Sequence, residues 1–265
     1  MVQNTRWWGE FEIKNHQCIQ WKIGFLSLFW LRKDQELRVA YHTPVEESDE
    51  GAQVIRDSTE PFPDEYQRFV FGTGPERLKL MPILPVKSII FSPEKALYLA
   101  PREKLRLYLS APIWLRISTG EPELELLQIP SIALSETWFG NNHREGEVCY
   151  AAQTRARLNI DNLSQKAYRA TTAVTIFNNT AGILPFDRIR IPFQYLALYF
   201  GGDGFFWTQP IQFELEPDHN TAKLSLPEGP PTADLSYELV AKAQDHRPHH
   251  FLKVLNSFIR SGARL

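Results

Sequence analysis

The sequence predicts an all-β protein, mainly antiparallel, built as one or two packed β-sandwiches with a short helical C-terminus. Two observations predict it. Apolar and polar residues alternate at period two in most apolar runs, and only a β-strand turns that alternation into one buried and one wet face. Many of the 19 prolines stand at the ends of those runs, where a missing backbone N–H costs no ladder hydrogen bond. A closed barrel is the alternative architecture.

The elements follow in order. Phe11 and Ile13 alternate with Glu10, Glu12 and Lys14, and Ile19, Trp21 and Ile23 alternate with Gln20 and Lys22. Leu37, Val39 and Tyr41 alternate with Glu36, Arg38 and His42. Residues 44–65 are acidic and poor in large apolar groups, so an exposed loop is expected there. Leu105, Leu107 and Leu109 alternate with Lys104, Arg106 and Tyr108; Ile113, Leu115 and Ile117 alternate with Trp114 and Arg116. The longest alternation is 147–160, EVCYAAQTRARLNI. It predicts one long strand with Val148, Tyr150, Ala152, Thr154, Ala156, Leu158 and Ile160 toward a core. Cys149, Arg155 and Arg157 would then share the polar face with Glu147. Short β-branched or aromatic runs follow at 171–177, 186–191, 194–200, 210–216 and 221–226, with a Gly-rich tip at 201–204. After the proline-rich 227–232, the spacing of Leu235, Leu239, Val240, Phe251, Leu252, Leu255, Phe258 and Ile259 changes to the helical period. One or two terminal helices are expected, broken near Pro248. The polar stretch at 161–164 marks a division into an N-terminal β domain (1–165) and a C-terminal β domain with the helices (166–265); a single domain is the other arrangement.

Bulk properties narrow the function classes. With 43% hydrophobic residues and a net charge of -2, the chain is globular, and nucleic-acid binding by bulk charge is not expected. Two cysteines make no disulfide framework, which fits a reducing, cytoplasmic setting. The opening residues lack the pattern of a signal peptide, and the apolar run 18–31 is too short for a membrane span. Asn162 and Asn178 match the glycosylation pattern, which has meaning only in a secreted chain.

Chemistry-bearing residues concentrate at 137–157. The turn TWFGNNHREGE offers Trp138, Asn141, Asn142, His143 and Glu147 as ligand-binding candidates, with Arg155 and Arg157 beyond it. Asn side chains donate and accept, and guanidinium groups take carboxylate or phosphate in a fork. Lys104 with Arg106, and Arg188 with Arg190, would extend a basic stripe if their strands were neighbours. The plainer reading is a hairpin turn with Gly140 and Gly146 in special conformations, and a solvated face whose arginines pair with carboxylates such as Glu123 and Glu125. A catalytic alternative pairs Cys149 as nucleophile with His143 as base. His246, His249 and His250 cluster, but at no closed zinc spacing, so no metal is assigned and the cofactor stays unknown. The phosphate-loop, G-x-S-x-G and H-E-x-x-H patterns are absent from the sequence.

The segments SETWFGNNHREGEVCYAAQTRAR (135–157), LAPREKLRLYLSAPIWLRI (99–117) and WWGEFEI (7–13) resemble an uncharacterised prokaryotic family, archaeal and bacterial, that carries a domain of unknown function. The resemblance spans most of the chain. It implies a soluble all-β class without assigned chemistry, and an association with a mechanosensitive membrane-channel system.

The leading expectation is a soluble, non-enzymatic binding or regulatory module using the 137–157 turn and strand face, with a small anionic ligand or a protein as its partner. The rivals are the Cys149/His143 enzyme and a structural or partner-docking protein, with a homo-oligomer among the assemblies open to it.

Overall fold

The structure is a computed structural model, and it describes residues 6–46, 49–140, 146–217, 221–245, 250–254 and 259–260. Among these the protein is all-β: strands linked by turns, with single 3-10 turns at Ile160–Asn162 and Phe193–Tyr195. Pairing is mostly antiparallel. The parallel exceptions join Gly146–Ala151 to Ile89–Phe91, and Arg169–Asn178 to both Phe206–Thr208 and Ile211–Leu215. No helix of the described residues is long and apolar enough to cross a membrane.

The chain forms two compact units, and each draws on separate stretches of sequence. The first comprises the chain up to Ile83 with Pro112–Ala133 and Lys166–Tyr168. It holds an antiparallel sheet in the order Ala52–Arg56, Cys18–Ile23, Leu26–Lys33, Glu36–His42, Gln67–Val70. A second sheet runs Gly9–Glu12, Arg77–Ile83, Trp114–Thr119, Leu124–Pro130. The inward residues of the alternations meet between them: Phe11 stands edge-on to Trp21 at 5.0 Å, and Trp21 lies 4.2 Å from Trp30. The buried Trp21 indole keeps a partner, donating to the Trp7 carbonyl at 2.9 Å. Gly24 turns the first hairpin at φ +57°, and a Cβ there would stand 2.7 Å from the Tyr168 ring, so both backbone and packing demand glycine. Part of the acidic 44–65 segment is a strand after all: Ala52–Arg56 pairs with Cys18–Ile23, because a free sheet edge satisfies backbone groups whatever the side chains.

The second unit comprises Leu84–Ala111, Leu134–Gln165 and the chain from Arg169 onward. Its large sheet centres on Arg169–Asn178, a nearly all-buried strand. A five-stranded sheet runs Glu136–Gly140, Gly146–Ala151, Ile89–Phe91, Arg188–Ile191, Ile259–Arg260. Asn178 is wholly buried; its amide donates to the carbonyls of Leu99 (3.0 Å), Ala100 (3.1 Å) and Gly182 (2.8 Å), and its Oδ1 accepts from Thr180. An asparagine so enclosed offers no nitrogen for glycosylation.

Two expectations are corrected here. The described C-terminal residues are strands, not helices: Tyr237–Ala241, His250–Val254 and Ile259–Arg260. Leu235 and Leu239 are 41% and 48% exposed, and Tyr237–Ala241 instead pairs with Leu198–Gly201 at one end of the large sheet. His246, His249, Leu255 and Phe258 lie outside the described residues. The long strand at 147–160 stops at Ala151; an irregular stretch and the 3-10 turn Ile160–Asn162 complete it.

Candidate functional site

The 137–157 region is a hairpin followed by a tethered loop. Glu136–Gly140 pairs with Gly146–Ala151, setting Thr137 opposite Cys149, Trp138 opposite Val148 and Phe139 opposite Glu147. The alternation is that of a strand, but the buried face is the reverse of the expected one. Cys149 and Phe139 pack with Ile90 in the core, whereas Val148 is 45% and Trp138 40% exposed. Gly146 leaves room for the Trp138 ring, which a Cβ would meet at 2.6 Å. The candidates Asn141, Asn142 and His143 lie outside the described residues.

The reversal has an electrostatic cause. Glu147 points inward onto Arg190 of Arg188–Ile191, forming an ion pair in which the arginine side chain is 5% exposed. Ser88 Oγ donates to the same carboxylate oxygen at 2.7 Å, and the Cys149 thiol lies 3.5 Å from it. Burial pushes the Glu147 carboxyl up, but the Arg190 charge and the hydrogen bonds from Ser88, Arg190 and Cys149 outweigh it, so the net shift is downward. The Cys149 thiol moves the other way: burial and the Glu147 charge push it up to about 12 against the pull of Arg190. At neutral pH it is a protonated donor, which opposes a nucleophilic role.

The arginines do not form one stripe. Arg190 is committed to Glu147, Arg155 is exposed, and Arg157 turns to Glu94 at 2.7 Å. The carboxylates expected as partners are engaged elsewhere, Glu123 with Lys79 and Glu125 with Arg116.

Among the described candidates, Arg157 lies on the wall of a groove. The buried Arg169 donates through Nε to Ser110 Oγ at 2.7 Å and through Nη2 to Thr154 Oγ1 at 3.2 Å. Thr154 in turn donates to the Ser110 carbonyl at 2.8 Å, which fastens the loop to Lys104–Pro112. Arg157 then exchanges two backbone hydrogen bonds with Tyr108 (2.8 and 3.0 Å), and the Ala156 amide donates to Ser92 at 2.9 Å. These bonds set Arg157 on the wall of a groove of 710 Å³. Pro93, Leu97, Leu107 and Leu158 give it an apolar lining; Glu94, Lys95 and Asn162 stand beside Arg157 as its polar part. A mainly apolar cleft of this size with a few polar groups is the usual form of a small-molecule site. Sequence reasoning reached Arg157 but missed Glu94 and Lys95, whose only signal was the turn-forming Pro93 before them.

By architecture the described residues form an all-β protein with Arg157 held on the wall of an apolar groove. By family, the chain belongs to the one described as "Protein of unknown function (DUF432)", whose model matches residues 7–259. No curated protein and no solved structure matches it.

Proposed function

We propose that the protein is a non-enzymatic binding module for a small amphipathic anion. The acidic group of the ligand sits on Arg157 and its apolar body lies against Leu97, Leu107 and Leu158. One observation carries the reading: Arg157 is fixed by its backbone above the groove, while its counter-ion Glu94 has a side chain 72% exposed. Such a surface pair contributes little to stability and is readily exchanged. A ligand carboxylate, sulfonate or phosphate entering the groove replaces Glu94 and gains the apolar contact that Glu94 does not make.

The test is titration with 8-anilinonaphthalene-1-sulfonate, a fluorescent anion with an apolar body, followed by displacement with a panel of carboxylates and phosphate esters. A charge-assisted hydrogen bond contributes about 1.5–3 kcal/mol, and partial exposure places Arg157 at the low end. Arg157→Ala is therefore expected to raise Kd by roughly tenfold. An unchanged Kd overturns the assignment.

A further inference from the structure

The anion groove carries more positive charge than a singly charged acid uses. Its charged lining residues, among those described, are Arg157 and Lys95 against the carboxylate of Glu94. Lys95 follows Glu94 directly, so its Cα stands about 3.8 Å from that of the residue already paired with Arg157. The connection that bears both is held at each end. Pro93 bridges to Ala156, whose amide donates to the Ser92 carbonyl at 2.9 Å, and Leu97 pairs with the buried Phe186. Fixed backbone therefore presents Lys95 and Arg157 to the same groove. The Lys95 ammonium makes no ion pair or hydrogen bond with a described residue, and neither does the side-chain amide of Asn162 on the groove lining.

These three groups define the head of the ligand. A carboxylate has two oxygens and a single charge, which the fork of one guanidinium satisfies. Lys95 and Asn162 would then have nothing to bind. A phosphate monoester has three terminal oxygens and a charge of about −1.5 to −2 at neutral pH. Two of its oxygens match the guanidinium fork, and the remaining oxygen and charge suit a compact ammonium and an amide donor. Once Glu94 turns out to solvent, no other carboxylate among the described lining residues opposes a dianion.

We propose that the groove selects a phosphate monoester with an apolar body: Arg157 takes two of the terminal oxygens, Lys95 holds the second charge, and Asn162 donates to the remaining oxygen. The proposal rests on the anion reading above and narrows it to one head group. Its test loads the full chain with the fluorescent sulfonate at about pH 8 and displaces it with hexyl phosphate or with hexyl methyl phosphate, a diester with the same chain and one charge fewer. The monoester is expected to displace the dye at about two- to fivefold lower concentration, which is what one exposed charge pair contributes. Lys95→Ala should bring the two esters level, and Lys95→Arg should keep them apart. Equal displacement by both esters in the wild type, or a preference that survives Lys95→Ala, overturns the phosphate assignment. Failure of the anion site itself reads differently: Arg157→Ala leaves dye binding unchanged and neither ester competes. Sedimentation with phosphatidylcholine vesicles containing phosphatidate tells a lipid headgroup, which pulls down the wild type but not Lys95→Ala, from a free monoester, for which the protein stays in solution.

Discussion

Replacing Glu147 with alanine removes the carboxylate that neutralises Arg190, whose side chain is 5% exposed. The guanidinium remains charged at any practical pH and is left in a poorly solvated place. Breaking a buried ion pair from one side costs about 3–5 kcal/mol. The Glu147 side chain is 41% exposed, so water partly replaces it, which lowers the expected loss to roughly 2–3 kcal/mol. Urea denaturation at pH 7 measures it, and Glu147→Ala with Arg190→Met should recover most of the loss, since the lone charge is then gone. The pH dependence has a definite sign. The folded carboxyl titrates below its usual range, so the pair stabilises above the unfolded value of about 4.3 and that stability is lost as pH falls through the lower folded value. The gap between wild type and Glu147→Ala therefore closes in acid. A loss under about 0.5 kcal/mol at neutral pH, or a gap that widens in acid, refutes the account of why this strand buries its polar face.

Other consequences follow from the same contacts. In a Cys18→Ser background, alkylation of Cys149 at neutral pH should be far slower than that of a free model thiol and rise only with urea, because the thiol is wholly buried and its pKa is pushed up to about 12. Gly24→Ala should destabilise the first unit by about 1–3 kcal/mol in thermal denaturation, since it pays for both φ +57° and the approach to Tyr168. Asn178→Ala should cost about 2–4 kcal/mol by urea denaturation, because the wholly buried amide is lost and the carbonyl of the buried Leu99 loses its hydrogen bond from it.

Much of the first unit was legible because its strands bury one face and wet the other. The alternations around Ile19, Trp21 and Ile23 and around Leu37 and Val39 name residues that are almost wholly buried. The 147–160 stretch was misread for a reason inherent in period two: the pattern separates two faces without saying which one is buried. Here the answer depends on Arg190, distant in sequence, which draws Glu147 and Cys149 inward and leaves Val148 outside. The same stretch ends early because Arg169 and Ser110 hold Thr154, contacts that local periodicity does not contain. Toward the C-terminus, pairing to an available sheet edge prevailed over the helical spacing, and Leu235 and Leu239 stay exposed. Of the site, Arg157 could be nominated by charge alone, whereas its place on a groove wall needed Tyr108, Pro93 and Glu94 brought to it by tertiary structure.

The central claim is tested most directly by titrating the fluorescent anion into Glu94→Gln and Arg157→Ala side by side. Glu94 competes with the ligand for the guanidinium, so its neutralisation should tighten binding while loss of Arg157 weakens it. Shifts of opposite sign are the predicted result. Shifts of the same sign, or none in either variant, would contradict an anion site at Arg157.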